Sequence, residues 1–163
     1  MAYKRILLAY DGTREGAVAL REGAILAKQA GAKLYILSVV PDVGGMQMAE
    51  GAYGGVVAYQ MDRYREQLDW GVKRLTELGM APTGRLVVGD PARAIGAFAR
   101  EVEADLVVVG HRRKNLLERW WSGASGAYIS DFIGCSLLIA RNEIGEDEFF
   151  AEMKAVEVAT QDA

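Results

Sequence analysis

Apolar residues along this chain gather in short unbroken runs, and between the runs they recur at three- and four-residue spacing. The first run, residues 6–10, stops at Asp11-Gly12-Thr13, a turn triplet that also suits a helix cap. Residues 15–30 follow with Ala17, Leu20, Ala24 and Ala27 on one face, and Gly31 stands where a C-cap is expected. Residues 33–40 form a second strand, closed by Pro41-Asp42. The stretch 43–57 holds five glycines and two methionines without clear period, which predicts a long loop. From 58 to 78 the rhythm is helical, with Met61, Tyr64, Leu68, Val72, Leu75 and Leu78 in one stripe ended by Gly79.

A third strand spans 84–89, and Asp90-Pro91 places an N-cap before a first-turn proline. The helix it opens runs to about 102, with Ile95, Phe98 and Val102 inward. Residues 106–109 are a fourth strand, 123–133 a further helix, and 136–140 the fifth strand. Residues 142–163 are an acidic extension with helical character over 146–158. The alternation predicts an α/β protein: an open, parallel, five-stranded, Rossmann-like sheet sandwiched by helices.

At 163 residues with 51% hydrophobic and 25% charged content, the chain suits one soluble globular domain, here expected over 1–141. The net charge of −3 provides no global basic field for nucleic acid. A lone cysteine, Cys135, and a lone histidine, His111, leave no disulfide framework and no Cys/His metal cluster. Cys135 is expected to be an inert core thiol and His111 a polar loop residue. No stretch has the roughly 20 unbroken apolar residues of a membrane span, and no signal segment is legible, so a cytoplasmic location is expected.

The chemistry concentrates at Asp105-Leu106-Val107-Val108-Val109-Gly110-His111-Arg112-Arg113 and at Gly123-Ala124-Ser125-Gly126. A buried strand that delivers a basic turn, followed by a glycine-rich helix start, makes an anion pocket, because first-turn amides lack internal partners. Other phosphate motifs are missing. There is no Gly-x-x-x-x-Gly-Lys-Ser/Thr loop, Asp11 to Gly16 lacks the leading glycine of a dinucleotide fingerprint, and 122–126 has the wrong spacing for a nucleophile elbow.

Lys4 to Thr13, Leu34 to Val40, Val88-Gly89-Asp90-Pro91-Ala92 and Ala104 to Gly110, with the closing strand 136–140, together resemble the universal stress protein family. The resemblance covers residues 3–141. It implies a homodimer paired through the last strand, Ser136 to Ala140, acting in a stress response through a further protein partner. Some members bind ATP and others do not. The binders share a Gly, two residues, Gly, nine residues, Gly-Ser pattern; here the frame reads Gly110, His111-Arg112, Arg113, residues 114–122, Gly123-Ala124. The second glycine has become Arg113 and the serine Ala124.

By this carry-over Ala9, Val39 and Val109 line the adenine and ribose side, and Asp11 lies near the adenosine while also capping a helix. Gly110, Arg112, Arg113, Gly123, Ala124 and Ser125 surround the phosphates. The implied ligand is ATP or another adenine nucleotide, with Mg2+ as its companion ion. No catalytic residue is legible, so at most slow hydrolysis is expected. Arg113 has two opposed readings. Its side chain obstructs phosphate approach, or it joins Arg112 and Lys114 as an anion clamp. A nucleotide-responsive protein and a nucleotide-independent interaction module both remain open. Trp120 and Trp121, being adjacent, cannot share a face.

Overall fold

The run Arg5–Tyr10 is β1, and five of its six residues are buried. A strand covered on both faces belongs in the middle of a parallel sheet, and that is where β1 lies. It is followed by α1 (Arg21–Ala30), β2 (Lys33–Pro41), α2 (Glu50–Glu77), β3 (Thr83–Gly89), α3 (Pro91–Glu101) and β4 (Leu106–Gly110). A short 3-10 turn (Ile129–Asp131), β5 (Ser136–Ala140) and α4 (Glu146–Gln161) complete the order. The computed structural model describes residues 2–10, 16, 17, 20–41, 50–110 and 128–161, the side chains of 50–57 and 160 excepted.

The five strands are all parallel in the order β3-β2-β1-β4-β5. Ala9 is in register with Leu37 on one side and Val109 on the other. Two apolar layers cover the sheet. On one face Ile6, Leu8 and Tyr10 pack with Ala24 and Ala27 of α1, Leu68 and Leu75 of α2, and Phe149 and Met153 of α4. On the other, Leu7, Ala9, Leu37, Val39, Val107 and Val109 pack with Ile95 and Phe98 of α3 and with Ile129.

Local chemistry sets the boundaries. Gly31 has φ +60°, the left-handed setting that lets its N–H reach back to the Lys28 carbonyl and end α1. At the start of α3, the Asp90 carboxylate accepts the Arg93 N–H at 3.0 Å, and Pro91 occupies the first turn. At the opposite, amino end of the strands Asp105 accepts N–H groups from Lys4 at 2.7 Å and Arg5 at 3.1 Å, which aligns β4 with β1.

Two segments differ from the sequence expectation. Residues 50–57, expected as loop, belong to α2. Their three glycines mask the period, yet each disfavours helix by only about 1 kcal/mol relative to Ala, which tertiary context overrides. The first helix is described from Arg21, with residues 16 and 17 also helical. The helix expected over 123–133 is described only as the turn Ile129–Asp131, where the Asp131 carboxylate accepts the Tyr128 N–H at 3.0 Å and Phe132 ends the turn. Residues 42–49 and 123–127 lie outside the described residues. The acidic stretch after 141 does form the expected helix, and it carries the fully buried Met153 into the core.

Candidate functional site

In a sheet of order β3-β2-β1-β4-β5 the connections leave β1 in opposite directions, so the crevice outside the carboxyl ends of β1 and β4 is the natural ligand position. Ala9, Val39 and Val109 stand at the carboxyl ends of β1, β2 and β4, are all buried and belong to the same apolar layer. Small and branched side chains there make the apolar wall at the carboxyl ends of these strands. Gly110 closes β4 in register with Ala140.

The third strand adds a feature on the same side. Gly89 ends β3 opposite Pro41 with φ +155°, a setting L side chains rarely adopt. The chain then turns directly into the N-terminus of α3. Asp90 is occupied as a helix cap, which agrees with its expected role. Sequence reasoning assigned nothing to Gly89; the Val88-Gly89-Asp90-Pro91 motif contained the signal, since glycine before a cap marks a turn.

Of the expected contact residues, Ala9, Val39 and Val109 are thus brought to one end of one sheet face, and Gly110 follows Val109 at the end of β4. Asp11, Arg112, Arg113, Gly123, Ala124 and Ser125 lie outside the described residues, as do His111, Lys114, Trp120 and Trp121.

Cys135 precedes β5, at the amino ends of the strands, and is half-buried. Burial pushes its thiol pKa up, and the Asp105 carboxylate pushes it further. The protonated thiol is a poor nucleophile. Among the described residues no group of three or more His, Cys, Asp or Glu side chains is placed to hold a metal ion. Nor is any described helix long and apolar enough to cross a membrane.

A sequence model of the Universal stress protein family matches residues 2–141. The chain belongs to that family. A universal stress protein of Synechocystis sp. is 27% identical over 154 residues, covering 87% of this chain and 100% of the relative. A Staphylococcus aureus protein named for the same family is 31% identical over 146 residues, with 88% and 87% covered. Among solved structures, a family protein from Burkholderia pseudomallei has 28% identity and a TM-score of 0.63 over 84% of this chain and 95% of its own. A universal stress protein in complex with cAMP gives 24% and 0.59, covering 85% and 97%. The Archaeoglobus fulgidus universal stress protein in complex with dAMP gives 22% and 0.58, covering 86% and 100%. All three share the fold described above. The family match ends at residue 141, so α4 lies beyond it.

Proposed function

We propose that this universal stress protein is a ligand-responsive binding protein, taking an adenine nucleotide at the carboxyl ends of β1, β2 and β4. The observation that carries the reading is the convergence of Ala9, Val39 and Val109 in one apolar layer at the switch point of the sheet. Such a wall accepts the flat, weakly polar face of an adenine ring. The cAMP and dAMP complexes of proteins with this fold support the same ligand class. In this reading Asp11 contacts the adenosine, Gly110, Arg112, Arg113, Gly123, Ala124 and Ser125 contact the phosphates, and Mg2+ accompanies a triphosphate. Function follows from binding, through a shift in the segments that carry these residues.

The last strand supports a homodimer. In the described chain β5 pairs only with β4, and Leu137, Leu138 and Ile139 are half-buried on this edge. An apolar edge strand is a template for pairing with a second copy. Arg113 favours a second reading, in which the loop is closed to nucleotide and the dimer acts as an interaction module.

Calorimetry with ATP, AMP and cAMP separates the two readings. Saturable heat with any of them supports the first, and silence with all three refutes it. Arg113→Gly then assigns the arginine: tighter binding identifies an obstruction, weaker binding a phosphate ligand.

A further inference from the structure

The opposite face of the sheet carries a concavity, separate from the strand-end wall because alternate residues of one strand point to opposite sides. Its floor is Leu8, Tyr10 and Ile36, whereas Ala9 and Val39 face the other layer. Leu20 and Ala24 of the first helical segment and Leu75 of α2 form its walls, and α4 closes one side with Phe149 and Phe150. The cleft has a cavity volume of about 80 Å³ and is open to solvent on one side. Tyr10 donates its hydroxyl proton to Gln67 Oε1 at 2.8 Å, so the floor is apolar with its polar atom satisfied.

One residue in the wall has no packing explanation. A Cβ on Gly23 would lie 2.7 Å from Leu8 Cδ2, and one on Gly96 would lie 2.5 Å from the Phe132 carbonyl oxygen. These glycines are demanded by close approach. Gly71, inside α2 and lining the cleft, is different: a Cβ there would meet nothing within 4 Å. Glycine inside a helix is unfavourable relative to alanine, and here no neighbour requires it. Gly71 leaves open space in the cleft wall beside the exposed indole of Trp70.

The rim is cationic at two points. Arg21 stacks over the Phe149 ring at 5.7 Å and donates to the Ile144 carbonyl at 2.7 Å. Arg74 stacks over the Phe150 ring at 4.5 Å and pairs with Glu146, at the start of α4, and with Glu77. The Glu146 carboxylate is thus an internal anion seated at the mouth of an apolar cleft. Both partners of that pair are solvent-accessible, so the pair is weak and open to exchange.

We infer that this cleft binds a small monocarboxylate with an apolar body, such as a medium-chain fatty acid, whose carboxylate replaces Glu146 on Arg74. The chain lies over Leu8, Leu20 and Leu75 and beside Gly71. The site depends on α4, beyond the family-matched residues, and does not rest on the nucleotide reading.

The test is calorimetry of the full chain with sodium octanoate below its micellar range, with octanol and octylamine as matched probes. Octanoate should bind saturably, octanol about tenfold more weakly through loss of the charge-assisted bonds, and octylamine more weakly still. Gly71→Leu fills the cleft and should abolish binding with the circular dichroism unchanged. Gly71→Ala, which adds one carbon in open space, should weaken it in a fold that is at least as stable. Glu146→Gln removes the competing anion and should tighten octanoate several-fold while leaving octanol unchanged. Absence of saturable octanoate binding overturns the inference. So does equal affinity for octanol, indifference to Gly71→Leu, or displacement of octanoate by ATP in stoichiometric competition.

Discussion

The carbonyl oxygen of Phe132 lies 2.5 Å from the point that a Cβ on Gly96 would occupy. That contact lets α3 lie directly on the segment leading into β5, and a carbonyl anchored in backbone has little freedom to move. Gly96→Ala should therefore destabilise the protein by about 1–3 kcal/mol, the usual cost of overpacking. Gly71→Ala, also within a helix, should raise stability by roughly 0.5–1 kcal/mol. Urea unfolding of the two variants should give midpoints displaced in opposite directions.

Asp105 is the joint between β1 and β4. Its two carboxylate oxygens take the N–H groups of Lys4 and Arg5, and its own N–H bonds the Arg5 carbonyl at 3.0 Å. Asp105→Asn keeps the shape but replaces one acceptor oxygen by a donor and removes the charge. A loss of about 1.5–3 kcal/mol is expected, read from thermal or urea unfolding.

The same substitution should change Cys135. Burial and the Asp105 charge both raise its pKa, so the thiol is protonated at neutral pH. Iodoacetamide should alkylate it more slowly than a free thiol, and faster in Asp105→Asn at the same pH. The linkage has a definite sign. The folded thiol titrates above the unfolded one, so its contribution to stability is complete below the unfolded pKa and is lost as pH rises through the folded value. Unfolding midpoints of the wild-type chain should fall over that alkaline window, and Cys135→Ser should fall less.

Met153 is fully buried and Phe149 nearly so, both against the α1 face of the sheet. Met153→Ala should cost about 2–5 kcal/mol by leaving a cavity. Removal of residues 142–163 should be more damaging still, detectable as dye binding to the uncovered apolar face, although those residues lie outside the family match.

Asp90 caps α3 through the Arg93 N–H. Asp90→Ala should lower stability by about 1 kcal/mol. Because the carboxylate is spent on the cap, nucleotide titrations of this variant should retain wild-type affinity, measured at a temperature where both proteins are fully folded.

Strand positions were legible because a strand covered on both faces must be an unbroken apolar run, and residues 6–10, 33–40 and 106–109 are such runs. Alternation along β1 and β2 also separates Ala9 and Val39 from Leu8 and Ile36 once the sheet is known to be covered. The start of α2 was not legible, because Gly51, Gly54 and Gly55 erase the period by which a helix is recognised. The cleft was hidden for another reason: its walls come from segments more than a hundred residues apart, and no local pattern relates Leu20 to Phe149. The spacing of Phe149 and Met153, four apart in an acidic stretch, was the available sign that the last helix has a buried face.

The two faces of the sheet also differ in when the ribosome delivers their cover. The layer around Ile95, Phe98 and Ile129 draws on residues that emerge no later than the fifth strand. The layer around Leu8 and Ala24 waits for Phe149 and Met153, which emerge after every strand has been made. During synthesis, which proceeds at about 5–20 residues per second, one side of the nascent domain can close while the other still presents bare apolar surface. That interval is when a chaperone would meet this protein, and the surface it would meet is the α1 face of the sheet.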